Sequence, residues 1–143
     1  MKYLKFISII LLITLIDLIT KFIFFQKNLT IIPKLLLIKY SQNPGIIFGL
    51  FSNNFLITTL LPLIIIIIFI YYFTKNKIPL IPTSLIISGL LGNLINRIYS
   101  GFVIDFIFIP ILPQYNIFLF NLADLSLIIG VILMLIYSKE TKS

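Results

Sequence analysis

Four apolar runs, each close to the length that crosses a bilayer, leave this 143-residue chain few folds to choose from. They are roughly Leu4–Phe25, Phe55–Phe73, Thr83–Ile104 and Phe118–Tyr137, and about 20 residues of helix span a hydrocarbon core. Hydrophobic residues make up 60% of the chain and its mean hydropathy is +1.19. A soluble domain of this size could not bury that much apolar surface. An open sheet in lipid would leave backbone groups unpaired, so even the β-prone stretch Leu63–Ile68 should be helical. The expected architecture is an all-α integral membrane protein. It is one domain, residues 1–143, with four transmembrane helices and a small extracytoplasmic β-like cradle between helices 1 and 2.

The charge balance fits that architecture. Eleven Lys and Arg against four acids give a net charge of +7, which in a soluble protein would suggest nucleic acid. Here most cations flank apolar spans, so topology explains them and no nucleic-acid partner is expected. Lys2 and Lys5, Lys75 and Lys77, and Lys139 and Lys142 mark three segments of one side, which the positive-inside rule makes cytoplasmic. Lys27, Lys34 and Lys39 in the opposing loop weaken that bias without reversing it. The N-terminal run is longer than the apolar region of a signal peptide and reads as an uncleaved first helix. In the loop Gln26–Asn54, Thr30-Ile31-Ile32 and Leu35–Ser41 could form short interfacial strands, and Asn53-Asn54 a turn or N-cap. The loop Gly101–Ile117 carries Phe102, Phe106, Phe108 and Tyr115, with Pro110 and Pro113 barring a continuous helix. The chain has no Cys and no His, which removes thiol nucleophiles, His-based triads and the usual zinc ligands. No metal or cofactor is expected.

Three of the four acids, Asp17, Asp105 and Asp124, lie in or beside the apolar runs. An ionised carboxylate near the bilayer centre costs at least ~2.5–3.5 kcal/mol, so such residues are functional candidates. At 1.5 Å of rise per residue, Asp17 lies ~20 Å from the cytoplasmic end of span 1. Lys21 follows one turn further out and can pair with it. In span 3, Asn93 is near mid-depth, Asn96 and Arg97 lie further toward the outer side and Asp105 is at the outer end, while Asn121 and Asp124 come in the first two turns of span 4. Gly89 and Gly92 share the polar face of span 3 and permit close helix approach. Asp105 and Asp124, from adjacent antiparallel spans, can meet at one depth. Two carboxylates sharing a site cannot both ionise easily, so one keeps a proton at neutral pH. The pair could then divide base and acid work as aspartic proteases do.

Blander readings compete. Asp105 could simply end span 3, and Asp124 could be a helix N-terminal acid favoured by the dipole. Asn93, Asn96 and Arg97 could be interhelical glue, and Asn43-Pro44-Gly45 a turn. The alternative function is a small ion- or proton-coupled transport protein. It would need polar groups through both halves of the membrane, and the inner half here is almost purely Ile and Leu. A Ser/Lys peptidase is disfavoured because Ser100 and Ser126 have no Lys placed beside them. A scaffold leaves the acids unexplained.

Five segments, in order, resemble the bacterial type II, or lipoprotein, signal peptidases. The first two are Asp17-Leu18-Ile19-Thr20-Lys21 and Asn43-Pro44-Gly45-Ile46-Ile47-Phe48. The next are Gly89-Leu90-Leu91-Gly92-Asn93-Leu94-Ile95-Asn96-Arg97 and Gly101-Phe102-Val103-Ile104-Asp105-Phe106. The last is Phe120-Asn121-Leu122-Ala123-Asp124. The resemblance covers essentially the whole chain. It implies an aspartic endopeptidase that cuts prolipoproteins just before a diacylglyceryl-modified cysteine, with Asp105 and Asp124 as the catalytic pair. It also implies that Asp17, Lys21, Asn43, Gly45, Asn93, Arg97 and Asn121 bind substrate or support the site. The implied partners are lipidated prolipoproteins, membrane lipid and globomycin-type inhibitors, and the expected form is a monomer. The expected location is the bacterial cytoplasmic (inner) membrane, with both termini cytoplasmic and the active site at the outer leaflet. Asn96 stands where the family commonly has Asp, Phe108 where a second acid is frequent, Ser88 where Gly is frequent, and Ile46 and Ile47 where small residues are common.

Overall fold

Polar or conformationally special residues interrupt each apolar run, and they set the helix limits. The computed structural model describes residues 1–45, 51–52, 54–110 and 119–140. Helix α1 (Lys2–Ile23) leads into strands β1 (Asn28–Ile32) and β2 (Leu36–Asn43). Helices α2 (Phe55–Thr74) and α3 (Leu80–Ser100) follow, then strands β3 (Val103–Phe108) and β4 (Leu119–Phe120) and helix α4 (Leu122–Glu140). Asn54 caps α2, its side-chain oxygen accepting the Ile57 N–H at 3.1 Å. Ile46, Ile47, Phe48, Asn53, Pro113, Tyr115 and Lys142 lie outside the described residues.

Two helix limits differ from the expected spans. The third was expected to reach Ile104, but α3 stops at Ser100. Gly101 takes φ 81°, the left-handed cap that glycine adopts without strain, and its N–H donates to the Arg97 carbonyl at 2.8 Å. Asp105 therefore stands on a strand, not at a helix end. The fourth was expected from Phe118, but α4 begins at Leu122, which puts Asn121 before the helix and Asp124 in its first turn.

Helices α1, α2 and α4 are long and apolar enough to cross a membrane. Only 28%, 17% and 17% of their most apolar windows are buried, so most of each surface faces outward. Apolar exposure on that scale marks a membrane-contacting surface. The inward face of α1 is a narrow stripe at helical spacing: Phe6, Ile10 and Thr14, then Asp17 and Lys21. Its apolar end stacks Phe6 on the buried Phe73 of α2, with ring centroids 3.8 Å apart.

Helix α3 packs against α1, α2 and α4. Its inner surface is built from small and polar residues, among them Thr83, Ser84, Ser88, Gly89 and Gly92, all buried. Ser88 and Ser126 place their hydroxyls 3.2 Å apart, and Ser126 donates to the Leu85 carbonyl at 2.9 Å. Small residues let backbones approach where no hydrophobic force draws helices together in lipid.

The sheet is antiparallel, in the order β1-β2-β3-β4. Its first two strands come from the α1–α2 connection, as expected, but β3 and β4 come from the α3–α4 connection. The physical reason is the free edge of β2, which the Ile- and Phe-rich β3 covers. Between the pairs Ile38↔Ile107 and Ser41↔Asp105 the register shifts, so Lys39 and Tyr40 together oppose Phe106. This bulge bends the strand beside Asp105. Ile38, Ile104 and Phe106 form a core against Phe24 and Leu122. Strand alternation then sends Asp105 to the other face.

Gly130 tests the close α3–α4 approach. A β-carbon there would lie 2.8 Å from Ile86 Cγ1 and 2.9 Å from the Ile86 backbone nitrogen. Gly130→Ala should lower stability by about 1–3 kcal/mol, read as a drop in Tm in detergent.

Candidate active site

The start of α4 is a reciprocal cap. Asn121 Oδ1 accepts the Asp124 N–H at 2.9 Å, and Asp124 Oδ2 accepts the Asn121 N–H at 3.2 Å. This is a capping box written with Asn and Asp, and it holds the Asp124 side chain against its own helix terminus. The free oxygen, Oδ1, accepts from Asn93 Nδ2 on α3 at 2.7 Å.

Asp105 is held by the same asparagine. Asn121 Nδ2 donates to Asp105 Oδ1 at 2.7 Å, and Asn43 Nδ2, from the end of β2, donates to Oδ2 at 3.1 Å. Each of the four carboxyl oxygens of Asp105 and Asp124 thus receives a neutral N–H donor. Burial pushes the Asp105 carboxyl up from 3.8 to about 7. The Asp124 charge pushes it the same way, while the hydrogen bonds from Asn43 and Asn121 and the Lys21 charge pull against both.

Asp17 and Lys21 stand one layer away. Their ion pair measures 2.7 Å and both residues are buried. Lys21 also donates to Asn93 Oδ1 at 2.9 Å, so it reaches Asp124 only through that amide. Asp17 Oδ1 accepts the Ala123 N–H at 2.8 Å. It therefore satisfies an orphan donor in the first turn of α4, where a negative charge is favoured. Gly92 makes room, since a β-carbon there would come within 2.5 Å of Asp17 Oδ2.

Arg97 touches neither acid. Its Nη2 donates to the Gly45 carbonyl at 2.6 Å and its Nη1 to the Thr58 carbonyl at 3.4 Å. That second acceptor has a cause in the sequence. Pro62, inside α2, has no N–H to give to the carbonyl four residues earlier, which is that of Thr58. Pro62 was not singled out from the sequence, although a proline within an apolar run signals a freed carbonyl. Among the described residues, Arg97 Nε is buried without a hydrogen-bond partner. Arg97, Asn43, Asn93 and Asp124 line a cavity of about 210 Å³, whose apolar walls include Pro62, Leu90, Leu127 and Ile128. Gly45 accepts Arg97 and donates its N–H to Asn43 Oδ1 at 3.0 Å. All nine residues singled out from the sequence are thus linked, directly or through one another, around Asn93 and Asn121.

The profile of the family described as Signal peptidase (SPase) II matches residues 9–139. This chain belongs to that family. It is a family of membrane aspartic peptidases, and the apolar helices agree with a bacterial multi-pass membrane protein. The lipoprotein signal peptidase of Clostridium tetani is 38% identical, covering 92% of this chain and 90% of the relative. That of Staphylococcus carnosus is 34% identical over 95% and 93%. A solved bacterial membrane enzyme, determined by the in meso method at 2.3 Å resolution, superposes with a TM-score of 0.87 at 33% identity. The match covers 97% of this chain and 90% of that one.

The coupling between the two acids is directly measurable. The chain has three aspartates, so carboxyl-¹³C-labelled Asp gives three signals. In the Asp124→Asn variant the Asp105 midpoint should fall below about 7, because one of its two upward pushes is removed. An unchanged midpoint would mean that the carboxyls do not share a field.

Proposed function

We propose that this chain removes signal peptides from diacylglyceryl-modified prolipoproteins, cutting before the lipidated cysteine, with Asp105 and Asp124 as the catalytic dyad. The observation that carries the reading is the bridge of Asn121 to both carboxyls, with Asp124 on the cavity wall. The names of the relatives supply the substrate class.

In this reading the dyad holds one proton near neutral pH. The ionised carboxylate takes a proton from water as the water oxygen attacks the scissile carbonyl. The protonated carboxyl gives its proton to the carbonyl oxygen, forming a neutral gem-diol. As that intermediate collapses, one of its hydroxyls gives its proton to the ionised carboxylate, the peptide C–N bond breaks, the leaving nitrogen takes the proton of the other carboxyl, and the dyad again holds one proton. Arg97 Nε supports a role in binding a substrate carbonyl, since it is the buried donor on the cavity wall without a partner among the described residues. The apolar walls suit the apolar body of a signal peptide.

The proposal includes four spans, α3 being the fourth, with both termini cytoplasmic and the dyad at the outer leaflet. Lys2 donates to Asn76, which brings the N-terminus and the α2–α3 turn to one basic end. The dyad lies at the opposite ends of α3 and α4. The protein is proposed to work as a monomer in contact with lipid, and to be blocked by globomycin-type peptides.

Three outcomes follow for protein in liposomes or detergent. Asp105→Asn and Asp124→Asn should each lower cleavage of a lipidated prolipoprotein by roughly 10²–10⁴-fold or more, and near-normal turnover by either variant overturns the assignment. Above about pH 7 Asp105 loses its proton and the dyad has no acid left, so kcat/KM should fall about tenfold per pH unit at the limit. Because the chain has no cysteine, a single Asn76→Cys should react with an impermeant thiol reagent only from the cytoplasmic side. Labelling from outside reverses the topology.

A further inference from the structure

Asn96 belongs to the last turns of α3, and the sequence alone reads it as a hydrogen-bonding substitute within a polar stripe. The structure gives it a particular partner. Its Oδ1 accepts the Ile104 N–H at 2.7 Å, and the residue is 8% exposed. The carbonyl of the same Ile104 accepts from Asn121 Nδ2 at 3.3 Å. Ile104 immediately precedes Asp105, and its carbonyl belongs to the peptide plane that carries the Asp105 nitrogen.

Sheet topology explains why these bonds are needed. Strand β4 has two residues and pairs with β3 only at Ile107 and Phe108. On the other edge β3 keeps β2, through Gln42↔Ile104 and Ser41↔Asp105. Among the described residues no strand covers the β4-side edge of β3 at Ile104. A buried strand edge must still have its N–H and C=O groups satisfied. Two asparagine side chains, with the same donor and acceptor chemistry as a peptide group, take the place of the absent strand. One of them, Asn121, also holds both carboxyls.

We infer that Asn96 is a positioning residue for cleavage: by accepting the Ile104 N–H it fixes the β3 edge from which Asp105 projects, and so sets the placement of Asp105 against Asp124. The inference rests on the dyad assignment proposed above. It asks for an acceptor oxygen at position 96 and not for an amide, so Asp can replace Asn there and Leu, of similar size, cannot.

The test compares Asn96→Leu and Asn96→Asp with the unaltered protein, using rates per folded enzyme. Asn96→Leu should lower kcat by roughly 10–100-fold, the scale of a small misplacement of a reacting group, with KM nearly unchanged. Its Asp105 carboxyl signal should titrate below about 7, since a loosened edge lets in water and draws Asp105 from Asp124. Asn96→Asp should keep kcat within a few-fold. If Asn96→Leu loses thermal stability alone, with kcat and the Asp105 midpoint unchanged, the inference is overturned. A folded Asn96→Asp as slow as the Leu variant overturns it as well. Should Asn96→Leu fail to fold, hydrogen exchange in the unaltered protein decides: a protected Ile104 amide supports the bond, and exchange as fast as at an exposed residue refutes it. The carboxyl titration and the amide exchange need no substrate. They can fail while the Asp105→Asn result stands, or stand while it fails.

Discussion

The structure depends on satisfying a buried carboxyl, Asp105, and a half-buried one, Asp124, with amides instead of cations. Asn121 is the pivot, giving its side-chain N–H to Asp105 and its backbone N–H to Asp124 while capping α4. A cation in direct contact would stabilise both charges and hold both groups ionised. Neutral donors offset part of the cost of burial and favour the ionised form less strongly than a cation would. The ion pair of Lys21 with Asp17 is kept a step back by Asn93.

Everything that positions Asn121 follows from how closely α1, α3 and α4 approach. Gly89 and Gly92 face Ala123, and any side chain at either glycine would press on that residue. Because the backbones come so close, Asp17 on α1 reaches the Ala123 N–H in the first turn of α4. A residue that looks like an isolated intramembrane acid is thus the anchor of another helix. Arg97 does comparable work on the far side, tying α3 to the carbonyl that Pro62 frees in α2 and to Gly45 beyond β2.

Much of this was legible in the chain because lipid permits few solutions. Helix periodicity placed Gly89, Gly92, Asn93, Asn96 and Arg97 on one face, and i,i+4 spacing paired Asp17 with Lys21. The position of Asp105 was not legible in the same way. Its segment reads as the tail of an apolar run, and only the left-handed Gly101 and the free edge of β2 turn it into a strand. The sheet was half visible: β1 and β2 are neighbours in sequence, whereas β3 and β4 pair across distances that no local pattern records. Asn96 looks like generic glue for the same reason, since its partner exists only once β3 is laid beside α3.

The sequence by itself determined the solvent, the helices and the inventory of chemistry. Sixty per cent hydrophobic residues require a membrane, and a chain without His or Cys must work with its acids and amides. Tertiary structure alone decided which acid meets which amide. That choice rests on backbone approach at glycines, on a bulge beside Asp105 and on hydrogen bonds between residues up to 106 positions apart. Such contacts form only when the groups that make them find their partners in the same arrangement, a condition on the folded whole that no single stretch of chain expresses.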